Sequence, residues 1–243
     1  MGDGDGWQDG IMGFSHVALV TGANQGIGAA TAVALGRRGT AVLVAYFRPG
    51  DAPGQPEEYN RVRRGDAAEE RLGPVDILVN NASGWVQDTF KPAEVDRFGR
   101  PMQAVTAQTF QQQFAVDAMA PALLIAEFAR RHRGRGGDWG RIVGLTSGGR
   151  HGFPDEVSYG AAKAAQENYT MSASVELAPH GVTANIVYPP VTDTGWVSDE
   201  VRAGVAASPE HTHVATPEEV AEVIAWVVSE EAHLLNGSVL RLR

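Results

Sequence analysis

Tyr159 and Lys163 stand four positions apart in "SYGAAK" (158–163). On a helix, residues i and i+4 share a face, so a phenol and an ammonium at this spacing can serve one spot. A phenol, with an ordinary pKa near ~10, is a poor base at neutral pH unless a nearby cation stabilises its anion. Lys163 is placed to be that cation. The chain has 18 arginines and only two lysines, so a lysine here reads as a requirement for a compact ammonium that can relay a proton.

A second group with chemical content is "TGANQGIG" (21–28), where Gly22, Gly26 and Gly28 follow an apolar run and precede a helical one. Glycines in that position permit a tight turn, let backbone N–H groups approach a pyrophosphate and aim a helix N-terminus at its charge. Gly22, Asn24, Gln25, Gly26, Ile27 and Gly28 are therefore candidate contacts for a nucleotide cofactor. The next apolar run ends in "AYFRP", with Arg48 and no carboxylate before Asp51. An acid there would bind the ribose 2′-OH of NAD and repel a phosphate, whereas arginine can pair with the 2′-phosphate of NADP. The expectation is NADP(H), with NAD as the other possibility.

These groups need a scaffold. "HVALV" (16–20), "AVLVAYF" (41–47), "VDILVNNA" (75–82), "GRIVGLTS" (140–147) and "VTANIVYP" (182–189) read as buried strands, and "SVLRL" (238–242) can add a last one. Helix-length segments fill 107–133, 157–179 and 216–232. The third carries Thr216 at the N-cap, Pro217 at the first helical position and acids in the first turn. Apolar strands alternating with helices predict one α/β domain with a doubly wound parallel sheet covered on both faces. Residues 1–14 read as a flexible arm and 15–243 as the domain.

Bulk properties narrow the partners. A formal charge of −9 argues against nucleic acid and anionic membrane, both of which attract basic surface. No run reaches the roughly 18 apolar residues of a membrane span, and "MGDGDGWQDGIMGF" lacks the basic-then-apolar pattern of a signal peptide. Zero cysteines exclude disulfides and thiolate metal sites and fit the cytoplasm. "HTH" (211–213) reads as a polar loop, so no metal site is expected. "RRHRGRGG" (130–137) reads as a solvated helix end.

The chain from His16 to about Leu242 resembles the short-chain dehydrogenase/reductase family, including its 3-oxoacyl-ACP-reductase-like members. The resemblance rests on "TGANQGIG", "NNA" (80–82), "TSGG" (146–149), Tyr159-Gly-Ala-Ala-Lys163 and "VTDTGW" (191–196), in the family's order. It implies a Rossmann-type fold and hydride transfer between a nicotinamide and a carbonyl or secondary alcohol carbon. Tyr159 would be the general acid/base, Lys163 its activator and ribose contact, and Ser147 the hydroxyl that steadies the substrate oxygen, with Thr146 as the fallback. Asn81 and Ala82 would floor the cofactor site, while Pro189, Thr192 and Thr194 would meet the nicotinamide. A homodimer or homotetramer is implied through the helices containing 107–133 and 157–179.

The sequence departs from the family pattern in four places. Segment 48–74 is short and rich in Pro and Gly, which leaves room for one imperfect helix around 57–72 and predicts that the usual third strand is missing. The family's fourth catalytic residue, an Asn that supports a helix kink, is Asp117 here. A carboxylate near Lys163 would hold the ammonium and partly cancel its field at Tyr159. Pro190 stands where Gly is usual, and Ser83 follows "NNA" in place of Gly, with no glycine-rich tail after the last strand. Two readings follow: an NADP(H)-dependent oxidoreductase acting on a small carbonyl or alcohol, and a nucleotide-binding relative with little turnover, serving as sensor or oligomer subunit. Trp85, Trp196, Val197 and Val201 suggest a moderately apolar ligand.

Overall fold

The computed structural model describes residues 14–46, 69–91, 94–96, 99–148 and 152–243. In chain order the first elements are β1 (His16–Thr21), α1 (Gly26–Arg37), β2 (Thr40–Ala45) and β3 (Ile77–Asn80). Short strands β4 (Asp88–Thr89) and β5 (Gln103–Ala104) precede α2 (Ala107–Phe114) and α3 (Ala120–Gly134). Then come β6 (Gly140–Leu145), α4 (Val157–Glu176), β7 (Val182–Tyr188), α5 (Asp199–Ala206), α6 (Pro217–Val227) and β8 (Val239–Arg241).

Six strands form one parallel sheet in the order β2-β1-β3-β6-β7-β8. Continuous apolar composition follows from burial on both faces, and every residue of β6 is buried. Alternate side chains separate into two cores. Ile77, Val79 and Val143 pack with Leu35 of α1 and Ile224 of α6. Leu78 and Ile142 pack on the other face with Ile125 and Phe128 of α3 and Leu177. The fold is the doubly wound α/β sheet that the strand pattern predicts.

Among the described residues β2 is an edge of this sheet. Most of the expected 57–72 helix and the place of a third strand lie outside the described residues; 69–72 is helical. After β2 the chain returns to the other side of β1, so the strand order reverses between β1 and β3. A crevice at the carboxyl ends of these strands is where such sheets bind ligands.

The segment 107–133, expected as one helix, is broken by a π-turn at Ala115–Met119. The Ala120 N–H reaches back five residues to the Ala115 carbonyl. Pro121 supplies the reason: it has no N–H for the carbonyl four residues earlier, that of Asp117, so the turn widens there. Asp117 consequently sits in the widened turn and is fully buried.

β4 and β5 pair as a separate two-stranded sheet beside the main one. Asp88 of β4 is buried and reaches the start of α4, accepting from the Ser158 N–H at 2.9 Å and the Ser158 hydroxyl at 2.5 Å. Glu156, the N-cap of α4, makes no side-chain cap of its own. A residue 70 positions earlier therefore caps the helix that carries Tyr159.

Candidate active site

The glycine turn after β1 is shaped by close approach. Gly22 has φ +66°, and a Cβ there would stand 2.7 Å from the Ala82 Cα. A Cβ at Gly28 would stand 2.5 Å from both the Asn81 Nδ2 and the Gly22 carbonyl oxygen. Asn81 holds the turn by donating to the carbonyls of Thr21 at 3.0 Å and Gly22 at 3.2 Å. The Thr21 hydroxyl accepts from the N–H groups of Asn81 and Ala82, both at 3.0 Å. Asn81 and Ala82 thus lie under the glycine turn, and the Asn81 amide is spent on fixing it.

α1 begins at Gly26, behind Gln25, which makes no side-chain cap and leaves no acid in the first turn. Asn24 and Gln25 are exposed and Ile27 half-buried. Uncapped N–H groups at a helix start with glycine above them suit a pyrophosphate. The 191–196 loop closes the same crevice: a Cβ on Gly26 would stand 2.9 Å from the Thr194 Cγ2. The Thr192 hydroxyl donates to the Pro190 carbonyl at 2.9 Å, and Thr192 bridges to Ala215. Pro189 and Pro190 enter this loop half-buried. Arg48 lies outside the described residues.

On the other side of the crevice, α4 places Tyr159 and Lys163 one turn apart, with the ammonium 5.8 Å from the phenol ring centroid. Ser147, two residues past the end of β6, lies close enough to the Tyr159 phenol for its hydroxyl to lower the phenol's pKa. Thr146 points away; it is buried and its hydroxyl donates to the Lys163 carbonyl at 3.5 Å. Of the two candidate hydroxyls, Ser147 is the one that meets Tyr159.

Lys163 is buried, its side chain 3 % exposed, and its Nζ stands 2.9 Å from Asp117 Oδ1. Asp117 Oδ2 accepts from the Gly84 N–H at 2.8 Å and from Gln113 Nε2 at 2.5 Å. Gln113 in turn accepts from the Val86 N–H at 2.7 Å. Lys163, Gly84 and Gln113 all present N–H groups to the carboxylate.

This arrangement decides the electrostatics of the phenol. The Tyr159 pKa is raised above its ordinary value, chiefly by burial. Lys163 lowers it, Asp117 pushes it further up, and the Ser147 hydrogen bond lowers it again. The ammonium acts in the expected direction, but desolvation of the phenolate together with the Asp117 charge outweighs it.

Gln113, Gly84 and Gln166 are site residues missed by the sequence reading, as are Asp88 and Ser158. Gln113 lies four positions before Asp117 and Gln166 three after Lys163, a helical spacing that could have flagged both. Ser83 is exposed, and its hydroxyl accepts from the Trp85 N–H at 3.3 Å. His213 binds Glu219 at 2.9 Å beside the Thr216 cap, as a loop residue.

A doubly wound sheet with a glycine turn under an uncapped helix start is the architecture of dinucleotide-binding proteins. Comparison with known proteins gives the family. The family model described as enoyl-(acyl carrier protein) reductase matches residues 62–242. The chain belongs to the short-chain dehydrogenase/reductase family. An uncharacterized oxidoreductase of Bacillus subtilis is 34% identical over 172 residues, 70% of this chain and 64% of that protein. A cis-4-hydroxycyclohexanecarboxylate dehydrogenase of Sinomonas cyclohexanicum is 32% identical over 251 residues, covering 93% of this chain and 94% of its own. The crystal structure of an angucycline C-6 ketoreductase with bound NADP superposes with a TM-score of 0.73 at 28% identity, covering 93% of each chain. Among the described residues no helix is long and apolar enough to cross a membrane.

Proposed function

We propose that this oxidoreductase transfers hydride between NADP(H) and a carbonyl or secondary alcohol, with Tyr159 as general acid/base. The observation that carries the reading is Tyr159 one helical turn from a buried Lys163, whose ammonium stands 5.8 Å from the phenol ring. A carbonyl oxygen set between the Tyr159 and Ser147 hydroxyls would accept a hydrogen bond from each. Tyr159 gives up its proton as negative charge develops on that oxygen, and Ser147 holds the oxygen in place. Lys163 stabilises the phenolate left behind.

The uncapped glycine turn fits a dinucleotide. Gly22, Asn24, Gln25, Gly26, Ile27 and Gly28 would hold the pyrophosphate, with Asn81 and Ala82 beneath and Pro189, Thr192 and Thr194 at the nicotinamide end. Arg48 would pair with the 2′-phosphate, and the NADP-bound ketoreductase supports that choice of cofactor over NAD. The cofactor supplies the hydride when bound.

A cavity of about 590 Å³ includes Ser147 in its lining and mixes Phe90, Phe153 and Tyr188 with the charged Lys91, Asp155, Glu167 and Arg241, a volume suited to a small organic ligand. Trp85 and Trp196 are about half exposed near the same end of the sheet. A cyclic ketone or alcohol is the substrate class that the cyclohexanecarboxylate relative favours. A homodimer or homotetramer in the cytoplasm completes the proposal.

NADPH absorbance measured across a panel of cyclic ketones tests it. Turnover should appear, and Tyr159→Phe should reduce kcat by at least ~10² to 10⁴, the range of general acid catalysis, while leaving NADPH fluorescence on mixing unchanged. NADPH binding with no turnover of any ketone or alcohol would instead support the sensor or subunit reading.

A further inference from the structure

Lys163 makes a second contact that neither its family pattern nor its ion pair accounts for. Gln166 Oε1 accepts from Nζ at 3.1 Å, and Gln166 is fully buried. Its Nε2 donates at 2.9 Å to the carbonyl of Asn80, the last residue of β3. That carbonyl can only accept, so the amide nitrogen must face it and the amide oxygen must face Lys163. Thr170 anchors the same turn by donating to the Gln166 carbonyl at 3.0 Å.

The opposite flank is fixed by the same logic. The Val86 N–H orients Gln113 so that its Nε2 points at Asp117, and the Gly84 N–H fills the remaining side of that oxygen. Two glutamines, each oriented by the main chain near the end of β3, therefore stand at opposite ends of a buried ion pair. An ammonium has three N–H groups. Gln166 takes one by hydrogen bond, and Asp117 Oδ1 stands 2.9 Å away as an ion-pair partner without an aligned hydrogen bond, which leaves N–H capacity for whatever enters the crevice.

We propose that Gln166 is a positioning residue: it fixes the Lys163 ammonium from the side opposite Asp117, so that N–H capacity remains directed to the reaction site. The inference rests on the role proposed for Lys163. Removing the Gln166 acceptor would leave a buried N–H unsatisfied and let the charge swing toward Asp117 alone, changing its distance to the phenol. Displacements of that kind cost catalysis without changing how the substrate itself is held.

The chain's lysine content makes a direct test possible. Lys91 and Lys163 are its only lysines, so lysine-selective ¹⁵N labelling gives two side-chain signals, and Lys91→Arg identifies the Lys163 signal. The cofactor-free protein should show slowly exchanging Lys163 ammonium protons. Gln166→Met keeps the shape but not the acceptor and should lose that protection. Gln166→Glu keeps an acceptor oxygen and should retain it, which also carries the test if the methionine variant does not fold. In turnover, Gln166→Met should lower kcat about tenfold or more, with the ketone KM within about twofold. Protection retained in Gln166→Met, protection lost in Gln166→Glu, or an unchanged kcat in Gln166→Met overturns the proposal. The exchange measurement needs no turnover, so its failure is separate from failure of the oxidoreductase reading, which an inactive wild-type protein would show.

Discussion

At the scale of single residues, the chemistry turns on two opposed charges beside one phenol. Asp117 is buried with Lys163 at 2.9 Å and raises the Tyr159 pKa while the ammonium lowers it. Asp117→Asn removes the upward push, so the phenol should ionise at lower pH. In the reductive direction the proton-donating phenol is then lost sooner, and the basic limb of the kcat/KM profile should move down. An unmoved limb would show that Asp117 has no electrostatic hold on Tyr159. The same substitution leaves a buried ammonium without its counter-charge, at a cost of about 3–5 kcal/mol by urea unfolding. Tyr159 and Lys163 were readable in the sequence because i, i+4 spacing puts them on one face. Gly84 and Asn80 were not, since they reach Asp117 and Gln166 across 33 and 86 positions through hydrogen bonds that only the folded chain creates.

At the scale of elements, the position of Tyr159 depends on a strand outside the main sheet. Asp88 of β4 binds both the N–H and the hydroxyl of Ser158, the residue before Tyr159, and all three groups are buried or nearly so. Asp88→Ala should orphan the Ser158 N–H and cost about 2–3 kcal/mol by urea unfolding, with kcat falling because the first turn of α4 loosens. Asp88→Asn keeps one acceptor oxygen and should cost less. Equal stability of wild type and Asp88→Ala would remove β4 from the scaffold of the site. The main strands were legible as continuous apolar runs, whereas "DT" and "QA" of β4 and β5 are too short and polar to announce themselves. The break at the π-turn was legible only through the family resemblance, which implies a helix kink at Asp117, because the composition of 107–133 is helical throughout and only Pro121 marks it. That break is what lets Asp117 face Lys163.

At the scale of the whole molecule, the sheet was predictable in class because its helices and apolar strands alternate, and its reversal of strand order places the glycine turn beside Asn81 and Ala82. The cofactor crevice is a joint between distant parts of the chain: the turn after β1, the end of β3 and the 191–196 loop against Gly26. A ligand that binds this joint stabilises the folded state by mass action, by about 2.7 kcal/mol at a hundred times its Kd. For a chain of this length that is a rise in Tm of about 5–10 °C. NADPH should produce such a rise, and NADH a smaller one at equal concentration if Arg48 pairs with the 2′-phosphate. Gly28→Val should abolish the shift with either nucleotide, since even a single Cβ there would lie 2.5 Å from the Gly22 carbonyl oxygen and Asn81 Nδ2. Tyr159→Phe should keep the shift, because in the proposed reaction that residue acts on the substrate oxygen while the glycine turn would carry the cofactor. A full NADPH shift in Gly28→Val would place the nucleotide elsewhere on the molecule. Equal shifts with NADH and NADPH would remove Arg48 from the site and leave the choice between the two nucleotides to other residues.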